Sequence, residues 1–291
     1  MPKAKVNNIE LYYETHGEGY PIVFCHEYAG SFESWDQQVG FFSRRNQVIT
    51  YNARGYPPSD VPGRVEDYSQ EQHVDDLRGL LNALGIRDAY IVGLSMGGNV
   101  SLHFGILHPG RARGLVVAGA GYGSTNKEAF RRQALEFADQ IEAGGMEAFG
   151  DYTRGPSRVQ LLRKDPKAWA GFAQRFSEHS AFGSALTFRG VQGRRPTAYD
   201  LEEDMRSLQV PTLILVGDED DPSLEPSMLM KRCIPRSGLM VMPQTGHALN
   251  LEEPDLFNRA VLDFVTSVEA GKWPARQSGS GVGYLVEDDS P

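Results

Sequence analysis

Short apolar runs and amphipathic stretches take turns along this chain. Ile9-Glu10-Leu11-Tyr12-Tyr13-Glu14 half-alternates as a strand and is followed by a turn over residues 17–20. Ile22-Val23-Phe24-Cys25 and Gln47-Val48-Ile49-Thr50-Tyr51 are near-continuous apolar runs, the pattern of parallel strands covered on both faces. Residues 32–42 between them read as a helix. Val74, Leu77, Leu80, Leu81 and Leu84 keep helical spacing and stop at Gly85, a residue suited to a left-handed cap. Ala89-Tyr90-Ile91-Val92 is the next buried strand, and after the Pro109-Gly110 break comes Leu115-Val116-Val117-Ala118.

The strand signal then vanishes. Residues 124–208 carry helical stretches with Phe130, Phe137, Phe149, Trp169, Phe172, Phe176 and Phe182 spread through them, which predicts a helical insertion. Strands resume with Pro211-Thr212-Leu213-Ile214-Leu215-Val216 and Leu239-Met240-Val241-Met242. A last helix keeps Leu256, Phe257, Ala260, Val261, Phe264, Val265 and Val268 on one face. The alternation predicts an α/β fold, a sheet with helices on both faces, whose core is residues 1–123 and 209–270. Residues 271–291 turn to Gly, Ser and acidic side chains and predict a loosely held tail.

Charge sharpens this division. The 291 residues hold 29 basic and 38 acidic side chains, a formal net charge of −9. Residues 124–208 hold 13 basic and 12 acidic ones and are nearly neutral, so the excess acid belongs to the rest. Such a balance argues against nucleic acid or an anionic membrane as partner, since both need clustered cations, and favours a small-molecule substrate. The start lacks a signal-peptide core, and no run approaches the roughly 18 apolar residues of a spanning helix, so a cytoplasmic location is expected. Cys25 and Cys233 stand far apart in apolar surroundings and read as buried thiols rather than a disulfide framework or metal site.

The chemistry concentrates where strands end. Gly93-Leu94-Ser95-Met96-Gly97 sits between a strand and a helix, the setting in which a sharp elbow presents a serine nucleophile and side chains at the two glycines would clash. A serine hydroxyl needs a base, and the base a carboxylate that fixes its tautomer. Gln244-Thr245-Gly246-His247-Ala248 lies between the last strand and the last helix, which makes His247 the base. The other histidines have blander settings: His16 in a turn, His73 in an amphipathic helix, His103 and His108 in or after the elbow helix, His179 in the insertion. The acid comes from Gly217-Asp218-Glu219-Asp220-Asp221-Pro222, where spacing favours Asp220. An oxyanion needs two backbone N–H donors, each contributing roughly 10²–10³ in rate. Met96 at the helix start is one. Tyr28, in the turn His26-Glu27-Tyr28-Ala29-Gly30-Ser31, is the other.

With these residues assembled, the chain resembles the α/β-hydrolase superfamily over roughly its first 270 residues. The resemblance is carried by His26–Ser31 against H-G-x-x-G-S, Tyr51–Ser59 against Y-D-x-R-G-x-G-x-S, Gly93–Gly98 against G-x-S-M-G-G, Gly217–Asp220 against G-x-x-D, and Gly246-His247. It implies an eight-stranded, mostly parallel sheet flanked by helices, with residues 124–208 as a helical lid between the sixth and seventh strands. It also implies Ser95, Asp220 and His247 as the triad, and no cofactor. Two departures stand out. Glu27 replaces a glycine of the oxyanion turn, and the segment from Tyr51 to Ser59 lacks the usual aspartate and second glycine. Glu27 either shapes its loop, the reading favoured here, or sits with His26 in the pocket, where burial would raise its pKa and its charge would disfavour anionic substrates.

The constellation points first to hydrolysis of carboxylic esters of small to medium apolar substrates through an acyl-enzyme. A C–C bond hydrolase or a lactonase would use the same triad, a cofactor-free haloperoxidase would keep it, and a small-molecule receptor would keep the fold without turnover. Ser95 excludes the dehalogenase and epoxide-hydrolase branches, which place an aspartate there. The aromatic residues of the insertion, with Met228, Leu229 and Met230, suggest an apolar pocket. Arg194-Arg195 either receives a substrate carboxylate or, by preference, is a solvated basic pair. Oligomeric state is open.

Overall fold

Alternation within the strands decides which side chains cover which face of the sheet. In the computed structural model, which describes residues 2–276, Ile22, Phe24, Tyr90, Val92 and Leu94 point to one face. Their neighbours Val23, Cys25 and Ile91 point to the other. Two apolar layers therefore grow from the same strands.

The strands are β1 (Lys3–Val6), β2 (Ile9–His16), β3 (Tyr20–Cys25), β4 (Asn46–Tyr51), β5 (Ala89–Leu94), β6 (Ala112–Ala118), β7 (Thr212–Gly217) and β8 (Ser237–Met242). They form one sheet in the order β1-β2-β4-β3-β5-β6-β7-β8. β1 and β2 are antiparallel, β2 is antiparallel to β4, and every later pairing is parallel. The sheet is thus the eight-stranded, mostly parallel one expected. β1 was not read from the sequence. It pairs with β2 through Asn7 and Asn8, both at positive φ (45° and 66°), a two-residue hairpin turn that suits asparagine.

Helices α1 (Asp36–Phe42) and α11 (Pro254–Glu269) cover the face that holds Phe24 and Val92; Trp35, Phe42, Phe257, Val261 and Phe264 fill that layer. On the opposite face lie α2 (Gln70–Ala83), α3 (Met96–Leu107) and α9 (Asp221–Cys233). Residues 32–42, read as one helix, begin with a 3₁₀ turn at Phe32–Trp35, whose first residue follows a Ser31 cap. Between β6 and β7 the chain runs through α4 (Lys127–Gly144), α5 (Val159–Lys164), α6 (Pro166–Ser177), α7 (Ala181–Thr187) and α8 (Glu202–Ser207). Phe172 and Phe176 of α6, with Phe149 and Phe188 from the turns that connect these helices, make a separate apolar cluster that seats on Tyr28 and Ala248. A short α10 (Leu249–Glu252) precedes α11.

The predicted loose tail needs one correction. Its first residues are held, because Trp273 packs on Phe264 (4.8 Å between centroids) and donates from Nε1 to Arg236 O (2.9 Å). Residues 277–291 lie outside the described residues. Cys25 and Cys233 are both buried free thiols, and burial pushes the Cys25 thiol up to about 12. No helix among the described residues is long and apolar enough to cross a membrane.

Candidate active site

Four loops that follow parallel strands open on one edge of the sheet: the turn after β3, the elbow after β5, the acidic loop after β7 and the histidine loop after β8. In open α/β sheets the carboxyl ends of the strands are where ligands bind.

The elbow is sharp and crowded. Ser95 stands at φ 56°, ψ −110°, a conformation in which a residue with a Cβ is strained. It is locked there by Ser95 N–H donating to Ala118 O (2.8 Å) and by Asn99 N–H and Asn99 Nδ2 donating to Ser95 O (both 2.9 Å). A Cβ on Gly93 would lie 1.9 Å from Gly97 O, and one on Gly97 would lie 2.0 Å from Cys25 O, so neither position admits a side chain. The Met96 N–H at the start of α3 and the Tyr28 N–H in the β3 turn donate to no protein acceptor among the described residues.

His247 and Asp220 meet at this edge. The Nδ1–H donates to Asp220 Oδ2 at 2.7 Å, with Asp220 wholly buried and His247 nearly so. That contact fixes the tautomer and leaves Nε2 as the acceptor. The loop is braced by a carboxylate the sequence reading missed. Glu252 accepts from Gly246 N–H (2.7 Å) and Ala248 N–H (3.2 Å), one on each side of the histidine. The His247 N–H itself donates to Ser157 O (2.6 Å), in the helical segment. The other acids of the β7 loop have separate tasks. Asp218 is exposed and accepts from Thr245 N–H (3.1 Å), Glu219 accepts from Gln160 Nε2, and Asp221 opens α9.

A model of the alpha/beta hydrolase fold matches residues 20–254. The chain belongs to the α/β-hydrolase family. It is 29% identical over 279 residues to a putative carbamate hydrolase of Azorhizobium caulinodans, covering 92% of this chain and all of the relative. It is 26% identical to a 3-oxoadipate enol-lactonase of Acinetobacter baylyi, covering 85% and 89%. Among solved structures, a malate-bound thermophilic esterase from Thermogutta terrifontis superposes with a TM-score of 0.83 at 27% identity, covering 92% and 98%. This α/β-hydrolase is therefore an enzyme of the hydrolase class.

Ser95 and His247 of the α/β-hydrolase line one cavity of about 250 Å³, together with Tyr28, Tyr122, Phe130, Phe137, Tyr152, Phe188, Arg158 and Arg195. Its apolar wall is shared by Phe130, Phe137, Tyr152 and Phe188 of the helical segment and by Tyr28 and Tyr122 outside it; of the insertion aromatics read from the sequence, only Phe130 and Phe137 line it. Met228, Leu229 and Met230 take no part. They sit on α9, where Met228 is exposed and Met230 faces the sheet.

His26 and Glu27, placed in the pocket by one sequence reading, do not line the cavity. His26 is buried behind the turn as the Nδ1–H tautomer, because Nδ1 donates to Glu27 O (2.7 Å) while Nε2 accepts from Ala53 N–H (3.0 Å). Burial lowers its pKa to about 4, so it stays neutral. Glu27 lies beside His247, with Oε2 3.9 Å from its Nε2, and is gripped by Arg158 through two charge-assisted bonds, one of them 3.0 Å. The rise in the Glu27 pKa that the pocket reading carried with it does not occur. Burial does push it up, but the Arg158 charge and hydrogen bonds outweigh burial and hold it below the ordinary value. Nothing in the sequence pointed to Arg158, because its partner is 131 residues away.

The departure at Asn52 is absorbed locally. Its Oδ1 accepts from Phe32 N–H and its Nδ2 donates to Pro57 O, both at 2.7 Å, so it pins two turns together. Arg54 makes a buried two-bond pair with Asp76 (2.6 and 2.8 Å). The reading of Arg194-Arg195 as a solvated pair holds for Arg194 only. Arg195 is 9% exposed.

Proposed function

We propose that the protein hydrolyses carboxylic esters of small to medium apolar substrates through an acyl-enzyme on Ser95. Ser95 Oγ attacks the ester carbonyl as its proton passes to His247 Nε2, and Asp220 stabilises the imidazolium that forms. The tetrahedral oxyanion is held by the N–H groups of Met96 and Tyr28. His247 returns the proton to the leaving alkoxide, and water, deprotonated by the same imidazole, then attacks the acyl carbonyl and frees the acid. Residues 124–208 serve as a lid over the core formed by 1–123 and 209–270. The observation that carries this reading is the 2.7 Å Asp220–His247 contact, with His247 and the strained Ser95 on one cavity.

A second reading, opening of a lactone by the same residues, draws on the enol-lactonase relative; C–C bond hydrolysis is a further variant, and a receptor would bind without multiple turnover. The test compares wild type and Ser95→Ala on 4-nitrophenyl butanoate, a γ-lactone and a vinylogous diketone, with mass spectrometry after treatment with an alkyl fluorophosphonate. Ester turnover that vanishes in the variant, with a single adduct on Ser95, is the expected result. Turnover that survives in Ser95→Ala, or ester inertness beside brisk diketone cleavage, would overturn the ester assignment.

A further inference from the structure

The charges around the cavity do not cancel. Asp220 is taken by His247, and Glu27 by Arg158, in pairs that keep both members buried. Arg195 remains. It is nine-tenths buried, and no Asp or Glu among the described residues comes within salt-bridge distance of it. Its Nε donates to Gln192 Oε1 (2.9 Å) and its Nη2 to Tyr122 O (2.8 Å), while the Phe130 ring lies 5.2 Å from its Cζ. These contacts fix the guanidinium in place, but two neutral oxygens and a ring do not neutralise it. A buried cation without a counter-charge is costly, and burial lowers its pKa only to about 10, so it remains charged at neutral pH. Nη1 has no protein acceptor among the described residues.

The backbone places this group deliberately. After α7 the chain widens into a π-helical turn over Phe188–Gln192, and Arg195 N–H closes on Val191 O (2.9 Å), which puts Phe188, Gln192 and Arg195 on one wall. The wall has two sides. Tyr122, Phe130, Gln192 and Arg195 line both the Ser95 cavity and an adjoining cleft that also carries Arg131, Arg194 and Lys127, the last of them paired with Asp200 (2.7 Å). An anion drawn into that basic cleft meets Arg195 at the partition. Glu27 raises no barrier to it, since Arg158 neutralises that carboxylate.

We propose that Arg195 binds a carboxylate on the substrate, so that the preferred esters are half-esters of dicarboxylic acids. The acid end sits on Nη1, the apolar chain runs along Phe130 and Tyr122, and the ester reaches Ser95. This inference rests on the ester-hydrolase reading and adds the substrate class to it.

Monoethyl esters of C4 to C8 diacids are compared with neutral ethyl esters of matched length, by pH-stat, for wild type, Arg195→Met and Arg195→Lys. Wild type should favour its best half-ester over the neutral analogue. Arg195→Met should lose about 10- to 100-fold more in kcat/KM on half-esters than on neutral esters of matched length, as for a hydrogen-bonded charge pair. Arg195→Lys should keep part of the preference. No wild-type preference at any chain length, a reading that needs no variant, would overturn the proposal, as would equal losses on both substrate classes. Calorimetry of adipate and suberate with Ser95→Ala, and their loss of binding in Ser95→Ala/Arg195→Met, reads the carboxylate site without ester chemistry. Diacid binding without any ester turnover would sink the ester reading and leave the carboxylate site standing, whereas ester turnover without diacid binding would do the reverse.

Discussion

Arg158 and Glu27 form a two-bond ion pair that joins the helical segment to the turn after β3, with both side chains buried. The Tyr152 ring lies 4.7 Å from the guanidinium carbon, and Tyr152 Oη accepts from Nη2 at 3.3 Å, so the cation is enclosed on a third side. The pair stands beside His247 without competing for Asp220.

Removing one partner strands the other. Glu27→Gln leaves a buried, unpaired guanidinium, and the expected loss in urea-unfolding free energy is about 3–5 kcal/mol. The double variant Glu27→Gln/Arg158→Met should recover most of that loss. A single-variant cost under about 1 kcal/mol would show that the two ends are not held together in solution.

Acid should weaken the fold by a defined route. His26 and His73 are each 2% exposed, and burial lowers their pKa values to about 4 and about 3. Below the ordinary histidine value near 6.5 the unfolded chain takes up these protons and the folded chain does not, so stability falls as pH drops from about 6.5 towards 4. Each such proton adds a slope of about 1.4 kcal/mol per pH unit. Glu27, held below its ordinary value, adds its own loss further down, as pH falls from about 4.5 through its folded value. Both His73 ring nitrogens lack partners among the described residues, so His73→Leu should cut the slope between pH 6.5 and 4 by about one proton without stranding a neighbour. Urea titrations at several pH values measure it; an unchanged slope would refute the assignment.

The acids of the β7 loop should separate cleanly. Asp220→Asn replaces the acceptor for Nδ1–H and should lower kcat by about 10³–10⁴-fold. Asp218 and Asp221 are exposed and stand outside that contact, so their Asn variants should stay within about tenfold of wild type on the same ester. Equal losses at all three positions would undo the role given to Asp220.

The elbow tolerates nothing larger than hydrogen at two positions. Gly93→Ala and Gly97→Ala place a methyl about 2 Å from backbone oxygens and should yield little folded protein, read as soluble yield and near-ultraviolet circular dichroism. Gly40→Ala in α1 has open space around its Cβ and should stabilise by about 0.5–1 kcal/mol.

Much of this was legible before the coordinates because it is local. The β5 run, the Gly93–Gly97 elbow and the histidine loop are each written in fewer than ten consecutive residues, and parallel strands then bring their ends to one edge. β1 escaped because Lys3-Ala4-Lys5-Val6 is only four residues long and half charged; its exposed-buried alternation counts only once β2 lies beside it. Arg194 and Arg195 were misread as a unit because neighbours in sequence look alike on paper. On a helical turn they diverge, one to water and one to the cavity wall. Met228 and Met230 split the same way along α9. Arg158, Glu252 and Ser157 had no signal at all, since what they do depends on partners that only the folded chain supplies.

The Ser157 carbonyl that takes up the His247 amide is one stitch of a seam. Gln160 reaches Glu219 and Lys164 reaches Thr245 (3.4 Å), so residues 157–164 are sewn to the loops that carry Asp220 and His247. Displacing this stretch from the sheet would therefore break the 2.6 Å contact that holds the backbone of His247.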